Sequence, residues 1–556
     1  MKKENLPHGV SSEIQSPPPA REDIQPKWHN LVRRRSFLKS LGIVGATLLL
    51  FLTRSGEAQK LSMRSWPPDT TPYARAKMPG EMTVSKLGSE YPEGAERIGR
   101  LFIRDVVVSN SDPNLNTTDT FNDDETSIAI NSRNKREIVI TAFSGSWGEN
   151  APIWHSTDGG TTWTKQFTVP VPPGVPSAFG CPCDQTIDYG RRMRLSGTFL
   201  ATDVYTGTTD NPADAVSWKW FVINNITQKT NLVGTMGIDQ PWLLVNRAPI
   251  SEQQDNIYVA YDSGVDVIPE PEMRVAVSPS HLSAGTIPPM FARDQLSGFS
   301  TGFVNPGHRL AKDQRRGFIY GLFQRRVAPG NGGSQNINYM LNRSTDGGIT
   351  WGLNGVATGI VVANADSTQP TPKFGTVNAL LGGVLHAAVD PITGDVYYVY
   401  GNRDPSTGSN RLAIRRIDDG VVVGPEHFVT SQVGLVQAAI PSVAVLLNGT
   451  VGVFFYTFDG FSSDGFRIFS AHLSVSTDRA VTFSDRVLET FLSVAKDDGD
   501  PRQRVLGDYM QMKVVKNTFY GAFTGNGVLF GRPFANHDPI FFTVRMEEEG
   551  LQENAE

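Results

Sequence analysis

Beyond about residue 100 the chain is written in short runs where apolar and polar residues alternate, each bounded by Gly, Asn or Asp. A two-residue period with such borders predicts β-strands whose one face is buried. Seven of these runs open alike: Glu125 to Ile130, Asp184 to Tyr189, Asp239 to Val245, His308 to Ala311, His386 to Val389, Pro441 to Val445 and Asp508 to Met512. After a polar turn most are followed by an aromatic-rich run, as in Ile257–Tyr261, Phe318–Phe323, Val396–Tyr400, Val453–Tyr456 and Phe519–Phe523. The period averages about 64 residues, enough for a unit of four antiparallel strands with long loops. The pattern is all-β, with the same unit repeated seven times.

An octet punctuates this repeat. Ser156-Thr157-Asp158-Gly159-Gly160-Thr161-Thr162-Trp163 returns as Ser344-Thr345-Asp346-Gly347-Gly348-Ile349-Thr350-Trp351, and in worn form as Ser476-Thr477-Asp478-Arg479-Ala480-Val481-Thr482-Phe483. Asp-Gly between strands predicts a tight hairpin, because glycine accepts the positive φ that such turns need. The first and second octets start 188 residues apart and the second and third 132 apart, near three and two periods. They therefore fall at one phase of different repeats.

The octet resembles the Asp-box, or BNR repeat, of the sialidase-like superfamily, which is carried on β-propellers. That resemblance implies a propeller with the boxes on outer hairpins away from the active site. Ser156, Asp158, Gly160, Trp163, Ser344, Asp346, Gly348, Trp351, Ser476, Asp478 and Phe483 are then structural. The repeat count favours seven blades, with six as the alternative because catalytic sialidases have six. Ring closure is expected between Arg100–Val108 and the last blade near Ile540–Val544, which leaves no long open edge.

In a propeller, equivalent positions of successive blades form a ring around the axis. If the seven starts open the innermost strands, then Glu125, Asp184, Asp239, His308 with Arg309, His386, Ser442 and Asp508 with Tyr509 crowd one mouth of the channel. Carboxylates held close together repel, so such a ring invites shared protons, arginine partners or a bound cation. Glycan chemistry uses two carboxyls, or a carboxyl and a tyrosine, as acid and nucleophile. The catalytic candidates are Asp184, Asp239, Glu125, Tyr509 and Asp508. Arg309, His308, His386 and Arg504 are the substrate-binding candidates. An acid at a strand start can equally serve to cap loop amides. The resemblance implies a Tyr/Glu nucleophile pair, an Asp acid/base and three arginines on the substrate; Arg309, Arg403 and Arg504 could belong to such a cluster. The early Phe/Tyr-Arg-Ile-Pro motif of that family is absent. Blades resembling Asp239-Gln240-Pro241-Trp242 and Leu506-Gly507-Asp508-Tyr509 occur in bacterial BNR-repeat glycosyl hydrolases.

The chain's only two cysteines, Cys181 and Cys183, exclude a disulfide framework. Lying just before Asp184, they are weak metal candidates, with no spaced ligand motif beside them. No cofactor is predicted, although the mouth has room for a cation. A net charge of −5 excludes a generally basic nucleic-acid surface.

The front of the chain carries an address. Arg34-Arg35-Ser36-Phe37-Leu38-Lys39 fits the twin-arginine export pattern, and the apolar run Leu41–Leu52 is short for a membrane span. The expected plan is a twin-arginine signal with a polar extension over 1–58, a Pro-rich leader or strap over 59–99, the propeller over 100–548 and an acidic tail over 549–556. This implies a bacterial periplasmic or secreted protein that meets the export machinery. It would touch the membrane only through an uncleaved signal, and it has a carbohydrate or glycoconjugate partner. Three functions fit: a glycoside hydrolase acting at the channel mouth, a non-catalytic propeller binding a glycan or protein, and a metal-dependent exported oxidoreductase.

Overall fold

The computed structural model describes residues 99–107, 109, 123–143, 152–168, 183–191, 193–200, 204–222, 238–263, 272–281, 291, 293–296, 308–329, 335–367, 385–430, 437–496, 506–531 and 537–546. The expected signal, the leader up to residue 98 and the acidic tail, with Cys181 and Arg504, lie outside these residues. Cys183 and Asp239 are described as backbone positions. No helix among the described residues is long and apolar enough to cross a membrane.

Seven four-stranded antiparallel sheets follow one another as the blades of a propeller, so the seven-bladed expectation holds over six. Their innermost strands are Asp124–Ile130, Cys183–Tyr189, Ile238–Ala248, Arg309–Asp313, Leu385–Val389, Ala438–Val445 and Gln511–Val515, in blades 1 to 7. Blade 7 takes its fourth strand from the front of the domain. Arg100–Asp105 pairs with His537–Arg545, in register from Arg100 opposite Arg545 to Asp105 opposite Ile540. Joining the two ends of the domain in one sheet satisfies an edge that would otherwise expose backbone donors and acceptors.

Side chains also bind the inner strands to one another. Ser127 Oγ accepts the Ile187 amide at 3.0 Å, Thr186 Oγ1 the Leu243 amide at 2.8 Å, and Ser442 Oγ the Met512 amide at 3.0 Å. Each residue thus reaches the inner strand of the next blade. Farther out, tyrosines of the aromatic strands do similar work. Tyr339 donates to Gly401 O at 2.7 Å between blades 4 and 5, and Tyr456 donates to Thr524 O at 3.1 Å between blades 6 and 7. Such rings bury a large apolar body and still satisfy their polar end.

All three octets join the third and fourth strands of a blade, in blades 1, 4 and 6. In the first, Ser156 Oγ accepts the Gly160 amide at 2.8 Å, while Asp158 accepts the Thr162 amide and hydroxyl at 2.9 and 2.7 Å. The second and third octets repeat this network. The hairpin presses on the preceding blade of the ring. A Cβ on Gly160 would lie 2.1 Å from the Phe541 ring, and one on Gly348 2.6 Å from Val277. The worn third octet keeps this backbone without glycine: Arg479 and Ala480 stand at φ 63° and 68°.

Candidate functional site

Four inner strands begin with the same irregularity. Between Asp124 and Ser127, Cys183 and Thr186, Asp239 and Trp242, and Ala439 and Ser442, the pairing slips by one residue. The residue inside each bulge is left-handed: Glu125 at φ 54°, Asp184 at 49°, Gln240 at 48° and Ile440 at 56°. Bulges of this kind re-aim side chains at the rim of a sheet. Since Ile440 adopts the conformation with no chemistry to offer, the bulge belongs to the architecture. It also sets the true equivalences. Gln240, and not Asp239, occupies the place that Glu125 and Asp184 hold in blades 1 and 2. The shared Asp-Gln letters misled by one position.

Around these bulges the mouth is polar on the side of blades 7, 1, 2, 3 and 4. Arg309 is its centre. Its guanidinium donates to Gln240 Oε1 at 3.0 Å and lies 4.6 Å from the Trp242 ring centroid and 5.5 Å from that of Tyr509. Burial pulls the Arg309 pKa down, and the carboxylates of Asp262, Asp508 and Asp184 oppose that fall with their negative charge. Cation–π contact with two rings adds to this holding. The sequence reading missed Asp262. It is the penultimate residue of the second strand of blade 3, opposite Asp239, and an antiparallel neighbour ends where the inner strand begins. An acid closing an aromatic-rich run was the available signal.

Several candidates already have structural work. Glu125 Oε1 accepts the Asp508 amide at 3.0 Å. The Tyr509 hydroxyl donates to Gln185 O at 3.0 Å, and its ring meets Trp242 edge-on at 5.5 Å. His308 is fully buried, with its ring 6.1 Å from Phe323 of its own blade. His386 and Ser442 each accept an amide from the next inner strand. His386 Nδ1 accepts the Val443 amide at 3.1 Å, the duty of Ser127, Thr186 and Ser442 in other blades. Burial first, then Lys513 and Arg309, lower the His386 pKa to about 3. Arg403 lies at the end of the second strand of blade 5. Asp184, with 6% of its surface accessible, is the most open of the carboxylates around Arg309.

The stack of Arg309, Trp242, Tyr509 and His386 crosses the channel. On its far side, toward the first turns of the blades, lies a cavity of about 380 Å³. Its wall holds Asp188, whose Oδ2 accepts from Lys312 Nζ at 2.6 Å and from the Val245 amide at 2.9 Å. Lys513 Nζ stands 3.5 Å from Asp188 Oδ1. Burial pushes the Asp188 carboxyl up, but the two ammonium groups outweigh it and leave its pKa below the usual range. The channel is thus acidic at one end and basic at the other. No group of three His, Cys, Asp or Glu side chains is placed to hold a metal ion among the described residues.

No protein-family profile and no curated protein matches the chain. Solved structures resemble it in part. An ulvan lyase of a polysaccharide lyase family aligns over 76% of this chain and 94% of its own, at 10% identity and TM-score 0.42. An endosialidase of phage phi92 aligns over 82% of this chain and 71% of its own, at 7% identity and TM-score 0.38. A protein of unknown function from Dyadobacter fermentans aligns over 77% of this chain and 95% of its own, at 13% identity and TM-score 0.37. Likeness at this level speaks to neither substrate nor reaction.

Proposed function

We propose that the chain is an exported, glycan-active propeller whose site is the acidic mouth where the inner strands begin. The observation that carries this reading is the gathering of Asp184, Asp262 and Asp508 around one buried guanidinium, Arg309. One cation among three carboxylates leaves negative charge in the mouth, and such a site suits proton delivery to a glycosidic oxygen. Asp184, the most open of the three, is the residue to transfer that proton. A second carboxylate stabilises the positive charge that develops on the sugar ring. Arg309, bonded to Gln240 Oε1, acts on these carboxylates through its charge. The signal pattern at Arg34 and Arg35 supports a periplasmic or secreted location. Arg34→Lys with Arg35→Lys should then keep the protein in the cytoplasm of a twin-arginine-competent host.

The test is a panel of aryl glycosides, sialosides included, and acidic polysaccharides, assayed with wild type, Asp184→Asn and Glu125→Gln. Asp184→Asn should lower kcat by at least about 100-fold with an unchanged melting curve. Glu125→Gln should mainly lower stability, because its carboxylate holds the Asp508 amide. Full activity in Asp184→Asn would remove the assignment. A second reading, a propeller that binds a glycan or protein without turnover, is favoured by one fact. The Tyr509 hydroxyl and the Glu125 carboxylate are both engaged by backbone groups. A wild type that cleaves nothing but binds a glycan array would establish it.

A further inference from the structure

We propose that the opposite, turn-side end of the channel is a second binding site, for a small organic anion of sugar-acid size held by Lys312 and Lys513. Charge is the first reason. Lys312 comes from blade 4 and Lys513 from blade 7, yet both converge on the single carboxylate of Asp188 in blade 2. Among the described residues lining the cavity Asp188 is the only acidic one, and the rim adds Arg191 and Lys516, while Arg247 is paired with Glu252 at 2.7 Å. His386, at the inner end, contributes no charge while its Nδ1 accepts the Val443 amide. Two ammonium groups facing one carboxylate leave a net positive charge in a protein-lined space, and a ligand carboxylate would balance it.

Access and shape are the second reason. Lys513 keeps 22% of its side chain accessible and its one protein partner stands at 3.5 Å, the outer limit of a hydrogen bond. Its ammonium therefore has donors to spare. Lys312 instead spends two of its donors, on Asp188 and on Val245 O at 2.8 Å. The remaining wall is largely apolar, with Trp242, Leu244 and Leu310 facing the space. A few polar groups in an apolar cavity of about 380 Å³ fit the usual build of a small-molecule pocket. The cavity selects an anionic head with a carbon body.

The experiment is calorimetric titration of the folded protein with glucuronate, glucose and inorganic phosphate at constant ionic strength. Glucuronate should bind and glucose, its uncharged counterpart, should not. Phosphate should bind more weakly, because it leaves the apolar wall empty. Lys513→Gln should weaken glucuronate by about tenfold or more with an unchanged melting curve, since a charge-assisted contact is lost. Lys513→Arg should retain most of the affinity. If Lys513→Gln does not fold, Lys516→Ala on the rim takes its place, with a smaller loss expected. No glucuronate binding at about 10 mM, equal binding of glucose, phosphate binding as tightly as glucuronate, or full affinity in the variants would each overturn the proposal. Asp184→Asn, beyond the septum, should leave glucuronate binding unaltered. This site and the acidic mouth therefore stand or fall separately.

Discussion

The Nδ1 atom of His386 accepts the amide hydrogen of Val443 at 3.1 Å, and so an imidazole does in blade 5 what a hydroxyl does in blades 1, 2 and 6. Accepting that hydrogen requires an unprotonated Nδ1, and burial near Lys513 and Arg309 agrees by lowering the pKa to about 3.

This has a pH consequence. In the unfolded chain a histidine titrates near 6.5. Between that value and about 3 the unfolded state binds a proton that the folded state refuses, so stability falls as pH drops through this window. Over the whole window the loss traceable to His386 should be on the order of 5 kcal/mol. His386→Ser, which keeps an acceptor, should flatten the dependence. Urea denaturation of both proteins at pH 7 and pH 4 measures it, and equal slopes would refute the assignment.

The octet aromatics should not be equivalent. Trp163 is fully buried, donates to Gly160 O at 3.1 Å and packs edge-on against Phe541 at 5.1 Å. Trp351 is only partly buried. Trp163→Ala should cost about 4 kcal/mol and Trp351→Ala about 2 kcal/mol. Chemical denaturation should show that order, with glucuronate affinity unchanged in the folded protein. The reverse order would mean that blade 4 depends on its octet more than the ring closure does.

Glycine should improve the worn octet. Arg479 stands exposed at φ 63°, where the other two copies have glycine at 84° and 79°. Arg479→Gly relieves left-handed strain of roughly 1 kcal/mol, offset in part by a freer unfolded chain. A net gain of about 0.5 kcal/mol is expected. A melting temperature that falls would show that the arginine makes a compensating contact.

Tyr509 should behave as a brace. Removing its hydroxyl leaves Gln185 O without that donor, so Tyr509→Phe should lose about 1 kcal/mol of stability. Any turnover at the acidic mouth should stay within severalfold of wild type. A loss of about 100-fold or more with an unchanged melting curve would instead make it the nucleophile.

The repeat, the strand identities, the phase of the octets and the closing strand near Arg100 were all legible in the sequence. Each is a local or periodic property: alternation reports a buried face, Asp-Gly a turn, and equal spacing an equal place in the ring. Register was not legible. A one-residue bulge at the start of four inner strands put Gln240 where letter matching had put Asp239. Ser442 follows the bulge of its strand, while the strand of His386 has none, and letter matching distinguishes neither case. Asp262, Asp188, Lys312 and Lys513 come from strands in blades 2, 3, 4 and 7, and no spacing rule links them. Only closing the ring makes them neighbours. Coulomb interaction acts across space and is blind to chain order, so the acidic and basic ends of the channel belong to the tertiary structure alone.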